Sequence, residues 1–266
     1  MSIENLRASG KQSVTVVVTT YNKPQMLELV LESLTRQSCI PDQVIVADDG
    51  STNCTALVVK KYMNALPIEH VWQADRTFRA ARCRNLAATR ITAEYVLFID
   101  GDCVLPPRFV ESHIRLRRSG TLVAGGRLLL TRKETDEILK SGITKLRKAS
   151  LKWLKMARLY LGPLRDLNSK NWKIVRTCNM SLNLHNLIEA GGFDESFEGW
   201  GREDSDFVVR LISSGVTIRS GRYSACVVHL WHPEESKQNL TINDERFNNT
   251  MLEGKRVSQK SLLLNL

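Results

Sequence analysis

The sequence lacks any apolar run long enough to cross a membrane. None of its hydrophobic stretches approaches the ~18 residues that a membrane-spanning helix requires. The first residues, Met1-Ser2-Ile3-Glu4-Asn5, also lack the apolar core of a secretory signal peptide. From the sequence alone we therefore expect neither a transmembrane segment nor secretion by that route.

Cysteine is sparse and scattered, and low-complexity sequence and internal repeats are absent. The six cysteines form no Cys-x-x-Cys pair and show no zinc-ligand spacing, so we expect reduced thiols and a cytoplasmic location. Hydrophobic residues make up 42% of the 266 residues and charged residues 25%, which excludes a disordered, collagenous or coiled-coil chain. Such a chain buries roughly 70–75% of its unfolded surface, so one large domain needs no disulfide or metal to hold its core.

Positive charge, in contrast, is concentrated in one segment that accounts for the net charge of +10. Residues 138–176 contain one acidic residue, Asp166, and the rest of the chain is neutral overall. This distribution does not resemble a uniformly basic nucleic-acid-binding protein, and the segment has no aromatic-interleaved recognition motif, so we expect no nucleic acid partner. Its eleven basic residues are Lys140, Lys145, Arg147, Lys148, Lys152, Lys155, Arg158, Arg165, Lys170, Lys173 and Arg176.

The first part of this basic segment also has helical periodicity. An apolar stripe over residues 138–161 lies opposite a face that carries Arg147, Lys148, Lys152 and Lys155. This pattern suits a helix on the surface of an anionic membrane. The alternative is a helix that packs on the core and has a solvated basic face. The stripe consists of Leu139, Ile143, Leu146, Trp153, Leu154, Ala157 and Leu161.

Strands and helices alternate along the first half of the chain, which predicts an α/β fold with a mostly parallel central sheet flanked by helices. We expect strands over 14–20, 44–47, 70–72 and 95–99 and helices over 24–38, 52–65 and 78–89. In the second half we expect strands over 122–130 and 179–184, a helix that opens within 199–206 and continues to 214, a last strand that reaches 229, and a polar tail from 233.

Acidic residues follow two of the predicted strands, where ligands bind in parallel sheets. Asp100-Gly101-Asp102 places two carboxylates where a glycine can turn both toward one hard cation and its bound diphosphate. Asp48-Asp49-Gly50-Ser51 has the same position on another strand and suits a contact to a base N–H or a ribose hydroxyl. The alternative for both clusters is a solvated turn, with Ser51 or Thr52 capping the next helix.

Four arginines lie between Trp72 and Asn85, spaced so that they point in several directions around a helix. One or two of them near the start of that helix suit a diphosphate, and we expect the rest to be surface charges. They are Arg76, Arg79, Arg82 and Arg84.

Together these motifs resemble family 2 glycosyltransferases of the GT-A fold, which have a Rossmann-like sheet. The resemblance rests on the segments 16–22, 46–51, 78–85 and 98–102, in this order and spacing. Two later motifs, Gly191-Gly192-Phe193-Asp194 and 199–206, resemble the acceptor half of β-1,4-galactosyltransferases and chondroitin-polymerase-type enzymes. The resemblance covers neither the basic segment nor the C-terminal tail, and we expect a donor half (14–131), a basic helical region (132–178) that contains the basic segment, an acceptor half (179–232) and a polar tail (233–266).

The resemblance implies a role for each donor-side residue. Thr19 and Asp49 would hold the uracil of a UDP-sugar, Tyr21 would also bind the donor, and Arg79 would contact the diphosphate. Asp100 and Gly101 would face the ribose or the donor sugar. Asp102 and His229 would bind Mn²⁺ or Mg²⁺, with Mn²⁺ favoured because it tolerates imidazole better. His232 remains open as an alternative ligand, and surface histidines are the alternative for both.

On the acceptor side the resemblance makes Asp204 the general base, and Trp200, Gly201 and Glu203 would shape the acceptor pocket. Acids at a helix N-terminus are stabilised in their ionised form by the helix dipole, as a base must be before reaction. The alternative is a pair of capping acids without chemistry. Arg202 departs from the family pattern, in which a small residue is common, so we expect an altered acceptor pocket.

The resulting expectation is an inverting, metal-dependent hexosyltransferase that acts on a glycan or lipid-linked glycan. Lipopolysaccharide or capsule synthesis fits best, because the basic segment offers contact with anionic lipid on the inner face of the cytoplasmic membrane. Two alternatives are a nucleotidyltransferase, which also uses paired acids on an α/β sheet, and a non-catalytic, membrane-docked protein that binds nucleotide-sugars. The nucleotidyltransferase does not explain the motif from Trp200 to Asp206.

Overall fold

A central sheet of seven strands organises the computed structural model, which describes residues 13–143, 162–167, 169–234 and 236–265. Its strand order is β3-β2-β1-β4-β8-β6-β9, and within the described residues β8 alone runs against the others. The strands, numbered along the chain, are β1 (Val14–Thr20), β2 (Gln43–Asp48), β3 (Ile68–Trp72), β4 (Tyr95–Asp100), β6 (Thr121–Ala124), β8 (Asn179–Asn183) and β9 (Thr217–Ser220).

A second sheet of three short strands stands beside the carboxyl end of β4. Its order is β5-β10-β7, formed by β5 (Cys103–Val104), β7 (Gly126–Leu129) and β10 (Cys226–His229). Eight α-helices within the described residues accompany the two sheets. They are α1 (Pro24–Thr35), α2 (Asn53–Tyr62), α3 (Ala80–Ala88), α4 (Phe109–Leu116), α5 (Arg132–Ser141), α6 (Leu184–Glu189), α7 (Glu203–Ser213) and α8 (Leu240–Glu253).

Both faces of the central sheet are buried, as expected for β-branched strands without a polar alternation. Val16 and Val18 of β1 point to the face covered by α1 and α2, whereas Val17 points to the face covered by α3 and α7. The predicted α/β fold with a mostly parallel sheet is confirmed, and the strand order places β1, β2 and β4 side by side at the centre.

The strand predicted over 122–130 is wrong as a single element. The chain forms β6, leaves the central sheet at Gly125 and enters the second sheet as β7. A Cβ on Gly125 would lie 2.1 Å from Oδ1 of Asn179, so the backbone passes where a side chain has no room. This change of sheet places the end of β7 beside β10.

Only the first residues of the helix predicted over 138–161 are described, and they belong to a helix with different bounds. The helix α5 starts with a capping box at Thr131 and Glu134. It ends before Gly142, because the φ of 73° at this residue is incompatible with a right-handed helix. Ile138 and Ile143 belong to the hydrophobic core. The remainder of this prediction, residues 144–161, lies outside the described residues.

One member of the basic segment is not a surface residue. Arg165 is buried, and its guanidinium donates hydrogen bonds to the carbonyl oxygens of Ser220 and Arg222, at 2.7 and 3.1 Å. The charge counted from sequence therefore overstates the charge that a partner can reach.

The polar region after 233 contains the helix α8, which the sequence analysis does not predict. This helix packs on α7, and its Asn243 donates a hydrogen bond to the carbonyl oxygen of Glu198. Among the described residues, none of the helices has both the length and the apolar character that a membrane span needs.

Candidate active site

The carboxyl ends of β1, β2 and β4 bring the two predicted acidic clusters together. The Gly101 N–H donates to the carbonyl oxygen of Thr19 at 2.7 Å, and the Asp49 N–H donates to that of Thr20 at 3.0 Å. Parallel pairing sets this arrangement, because β1 lies between β2 and β4. The donor-side residues predicted from sequence therefore surround one end of the sheet.

Asp49 lies in a buried polar cradle. Its carboxylate accepts a hydrogen bond from the Arg79 backbone N–H at 2.7 Å and another from the side chain of Gln73. Burial raises the pKa of Asp49 above its ordinary value, although these two hydrogen bonds and the charge of Arg79 oppose the shift. Gln73 was not singled out from the sequence, and nothing in its surroundings there distinguishes it.

The Arg79 guanidinium and Tyr21 flank this cradle. Arg79 donates to the Ala74 carbonyl oxygen and lines a pocket of about 390 Å³ that Arg76 and Arg82 also line. The exposed Tyr21 donates its hydroxyl hydrogen to Asp75 at 3.0 Å. The structure thus gathers three of the four arginines around a pocket beside Asp49.

Asp102, His229 and His232 form a cluster that can hold a metal ion. One ligand atom from each residue lies within 4.8 Å of the others. The pairing of β5 with β10 creates the cluster, since it sets Cys103 opposite His229 and joins the Leu230 N–H to the Asp102 carbonyl oxygen at 2.9 Å. The sequence left His229 and His232 as alternatives, and the structure brings both to Asp102.

The charges around Asp102 keep it ionised despite its burial. Burial by itself raises the pKa of the Asp102 carboxyl, but the hydrogen bond from His232 and the charges of His229 and Lys23 outweigh it and lower the pKa to about 2. Nε2 of His232 lies 3.2 Å from the carboxylate and Nε2 of His229 lies 3.6 Å from it. One carboxylate and two imidazoles suit Mn²⁺, so the residues present fit the expected group.

Arg84, one of the arginines expected at the surface, is buried, and that expectation is wrong. Its guanidinium lies 3.2 Å from Oε1 of Glu203 and 3.5 Å from Oδ1 of Asp100. The signal in the sequence is its place among Ala80, Ala81, Cys83 and Ala87, small residues that form the buried face of α3.

Three acids at the start of α7 occupy three different environments. Glu203 is buried against Arg84, and burial together with the charge of Asp204 raises its pKa. Asp204 is half-buried, and its carboxylate accepts the Ser205 N–H at 2.6 Å. Asp206 is buried on the other side of the helix, where it pairs with Arg210 at 2.8 Å and accepts the Thr250 hydroxyl hydrogen.

The loop before α7 presents Trp200 to solvent and is held by α8. Trp200 is 39% exposed, and Lys237 lies over its ring at 5.3 Å. Gly201 has a φ of 105°, and a Cβ there would lie 3.0 Å from a methyl carbon of Leu240. Arg202 pairs with Asp244 of α8, so the residue that departs from the family pattern ties this helix to the loop.

Two family models match the chain. That of glycosyl transferase family 2 covers residues 15–181, and the one described as the N-terminal domain of galactosyltransferase covers residues 165–232.

Curated relatives agree with these matches. The chain is 30% identical over 252 residues to validoxylamine A glucosyltransferase of Streptomyces hygroscopicus subsp. limoneus, covering 88% of this chain and 56% of that protein. It is 30% identical over 230 residues to chondroitin synthase of Escherichia coli, covering 78% and 33% respectively. The chain therefore spans about half, or less, of the length of these relatives.

Solved structures show the same fold. Staphylococcus aureus TarS in complex with UDP matches with a TM-score of 0.67 and 18% identity, over 91% of this chain and 65% of that one. The mannosyltransferase PcManGT from Pyrobaculum calidifontis, in complex with GDP-Man and Mn²⁺, matches with a TM-score of 0.62 and 18% identity, over 92% and 64%.

Proposed function

The chain belongs to glycosyl transferase family 2, and we propose that it transfers a hexose from a UDP-sugar to a hydroxyl of a glycan, with inversion. The observation that carries the proposal is the junction of the two halves of the site. Arg84 reaches both Asp100 on the donor side and Glu203 on the acceptor side, so the predicted sets of residues meet in one place.

The donor side suits a uridine diphosphate. The Asp49 carboxylate, held by the Arg79 N–H and the Gln73 side chain, would accept the uracil N–H, and Thr19 and Tyr21 would contribute to the same side of the site. Asp100 and Gly101 follow at the end of β4, where the ribose would lie. Arg79 adds positive charge to this side, and the TarS complexes with UDP and UDP-GlcNAc support the nucleotide.

Asp102, His229 and His232 would hold Mn²⁺ or Mg²⁺. When bound, such an ion supplies positive charge that stabilises the departing diphosphate. The carboxylate of Asp102 is already ionised, because its pKa is lowered to about 2, and it is ready to act as a ligand at neutral pH. The Mn²⁺ present in the PcManGT structure supports this choice of ion.

On the acceptor side, Asp204 is the general base. As the acceptor oxygen forms its bond to the anomeric carbon, the bond from that carbon to the UDP oxygen breaks, UDP leaves with the electron pair, and the hydroxyl proton passes to Asp204. Half-exposed and at the N-terminus of α7, this carboxylate can reach a bound hydroxyl. Trp200, Gly201 and Glu203 form the pocket that orients the acceptor.

The acceptor we propose is a surface polysaccharide or its lipid-linked precursor, of the lipopolysaccharide or capsule type. Relatives that act on glycan polymers support this class, among them chondroitin synthase. Exposed Leu164 and Leu167 lie in the same segment as the exposed Lys170 and Lys173. These residues would hold the protein at the inner face of the cytoplasmic membrane, where such precursors are assembled.

A panel of UDP-sugars with Mn²⁺, assayed for UDP release with and without glycan acceptors, tests the proposal. We expect one donor to give acceptor-dependent release of UDP. Pyrophosphate release from a nucleoside triphosphate would instead identify a nucleotidyltransferase. Tight UDP binding without turnover on any acceptor would identify a non-catalytic binding protein.

A further inference from the structure

Arg84 is a buried cation whose partners come from three separate elements. Its Nε lies 3.3 Å from the Thr19 hydroxyl of β1, and its terminal nitrogens reach Asp100 at the end of β4 and Glu203 at the start of α7. The side chain is 4% exposed. Thr19 and Asp100 belong to the donor side, whereas Glu203 belongs to the acceptor side.

The position of Arg84 is fixed by the residue that follows it. Asn85 donates to the Phe193 carbonyl oxygen at 2.8 Å and accepts the Phe193 N–H at 2.9 Å. These two bonds tie α3 to the turn that precedes the acceptor loop. The Arg84 guanidinium then lies over the Phe193 ring, 5.5 Å from its centroid.

The geometry suits arginine in particular. A planar guanidinium presents donors in several fixed directions, so it can hold separate carboxylates at once, whereas a lysine ammonium is a single point charge. Burial favours the neutral form of Arg84, but Asp100 and Glu203 outweigh it and raise its pKa. Its charge in turn opposes the protonation of Glu203 that burial favours.

We propose that Arg84 is a positioning residue that fixes Asp100 and Glu203 relative to each other, so that the acceptor pocket is aligned with the bound donor. The inference rests on the proposed function and deepens it. Arg84 is not itself placed to touch the reacting atoms. Loss of the Arg84 guanidinium should therefore misplace the acceptor, while the nucleotide contacts proposed at Asp49 and Tyr21 remain.

The experiment compares Arg84→Lys and Arg84→Gln with the wild type in the full chain. We expect kcat to fall and the acceptor KM to rise, so that kcat/KM for the acceptor falls ~10- to 100-fold, the scale of the loss caused by a misplaced reactant. The Kd of UDP, measured by calorimetry, should change by less than about threefold, because the Asp49 contacts are retained. Arg84→Lys should keep more activity than Arg84→Gln, because it keeps the charge.

Arg210→Lys is the matched control. Arg210 is also buried and also pairs with an acid of α7, but its guanidinium bonds to Asp206 and to the backbone carbonyl oxygens of Ala190 and Gly192, and not to Asp100 or Glu203. This variant should lower Tm and leave the acceptor KM unchanged. A lower Tm without a change in the acceptor KM in this variant would show that the KM effect of the Arg84 variants does not come from a general loss of stability.

A double-mutant cycle tests the route through Glu203. In a Glu203→Gln background, Arg84→Lys should add less than about a threefold further loss, because the partner is already removed. Effects that simply multiply would overturn the proposal. So would a folded Arg84→Lys whose kcat and acceptor KM stay within about twofold of the wild type.

Two remaining outcomes are also decisive. If neither Arg84 variant folds while Arg210→Lys does, Arg84 belongs to the core of the fold and the proposal is overturned. If the wild type itself transfers no sugar from any donor, the proposed function fails and this inference falls with it. The two failures are distinct, since one is seen in the wild type and the other requires an active wild type.

Discussion

At the scale of single residues, the clearest test concerns the half-buried Asp204. Asp204→Asn should lower kcat by about 10²–10⁴-fold, because an amide cannot accept the proton of the acceptor hydroxyl. The Kd of UDP should be unchanged, since the proposed uracil contact is at Asp49, directly after β2. Steady-state kinetics at saturating donor, together with calorimetry of UDP binding, give both quantities.

The neighbouring acids are the controls for this test. Glu203→Gln should raise the acceptor KM at least as much as it lowers kcat, as expected of a residue that positions the acceptor. Asp206→Asn should lower the free energy of unfolding by about 3–5 kcal/mol, because it leaves the buried Arg210 unpaired. Near-normal kcat in Asp204→Asn, with a large loss in either neighbour, would contradict the assignment of the base.

Metal dependence is a second expectation at this scale. Excess chelator should abolish transfer, and Mn²⁺ should restore it best because two imidazoles accompany the Asp102 carboxylate. Asp102→Asn should abolish activity without a loss of secondary structure by circular dichroism. His185→Gln is the control, since His185 is exposed on α6 beside Glu189. Full transfer in excess chelator would contradict this expectation.

How far the site could be predicted depended on whether a residue's signal is local. Asp49, Asp100 and Asp102 follow buried strands, so their place was readable from the sequence, and the family motifs added Glu203 and Asp204. Gln73 carries no such signal, and Arg84 is marked only by its place among the small buried residues of α3. The role of Arg84 arises where β1, β4, α3 and α7 meet, and that junction includes a contact between residues more than a hundred positions apart. The role of Gln73 arises from its bond to Asp49 across two neighbouring strand ends.

At the scale of elements, a buried histidine couples α4 to β8. His113 is fully buried, with Nδ1 2.6 Å from the Ser181 hydroxyl and Nε2 3.0 Å from Oδ1 of Asn179. Asn179 uses its amide nitrogen for two backbone carbonyl oxygens, so Oδ1 accepts and His113 Nε2 carries the hydrogen. Burial lowers the pKa of His113 from 6.5 to about 4.

The lowered pKa of His113 determines the direction in which the stability of the fold changes with pH. The folded pKa lies below the unfolded value, so the stabilisation is complete above about pH 6.5 and is lost as the pH falls toward 4. The unfolded chain takes up the proton first, at a cost to stability of up to about 3 kcal/mol. In chemical denaturation between pH 4 and 8, the free energy of unfolding should decrease less steeply toward low pH in His113→Gln than in the wild type. Identical slopes would contradict this origin.

The elements missed from the sequence have identifiable physical causes. The buried face of α8 is formed by Asn243, Phe247 and Thr250, so two of its three buried positions are polar and no apolar periodicity marks the helix. The break between β6 and β7 follows from Asn179, a distant residue that occupies the space next to Gly125. The strands β1 to β4 and the helices α1 to α3, with strong local patterns, were predicted within a few residues, whereas β5 and α4 were not predicted.

At the scale of the whole molecule, the excess positive charge at the surface determines which kinds of partner the protein can attract. Part of the basic segment serves the fold, because Arg165 is buried against β9 and its following turn. The exposed Lys170 and Lys173 lie in the same segment as the exposed Leu164 and Leu167, a combination typical of contact with an anionic lipid surface, whereas Ile143 of the predicted apolar stripe packs in the core. The location at a membrane therefore remains a prediction that depends on the charge left at the surface.

Vesicle binding tests that prediction directly. The protein should sediment with anionic vesicles and not with neutral ones, because each basic residue near an anionic surface contributes about 1 kcal/mol. Binding should weaken as salt rises, since the Debye length falls to about 8 Å at physiological ionic strength and shorter beyond it. Replacing Lys170 and Lys173 by glutamine should reduce binding several-fold, whereas the same change at Lys60 and Lys61, exposed on α2, should have little effect. Equal partition onto neutral and anionic vesicles, or equal losses in the two double variants, would show that the segment has no specific role at the membrane.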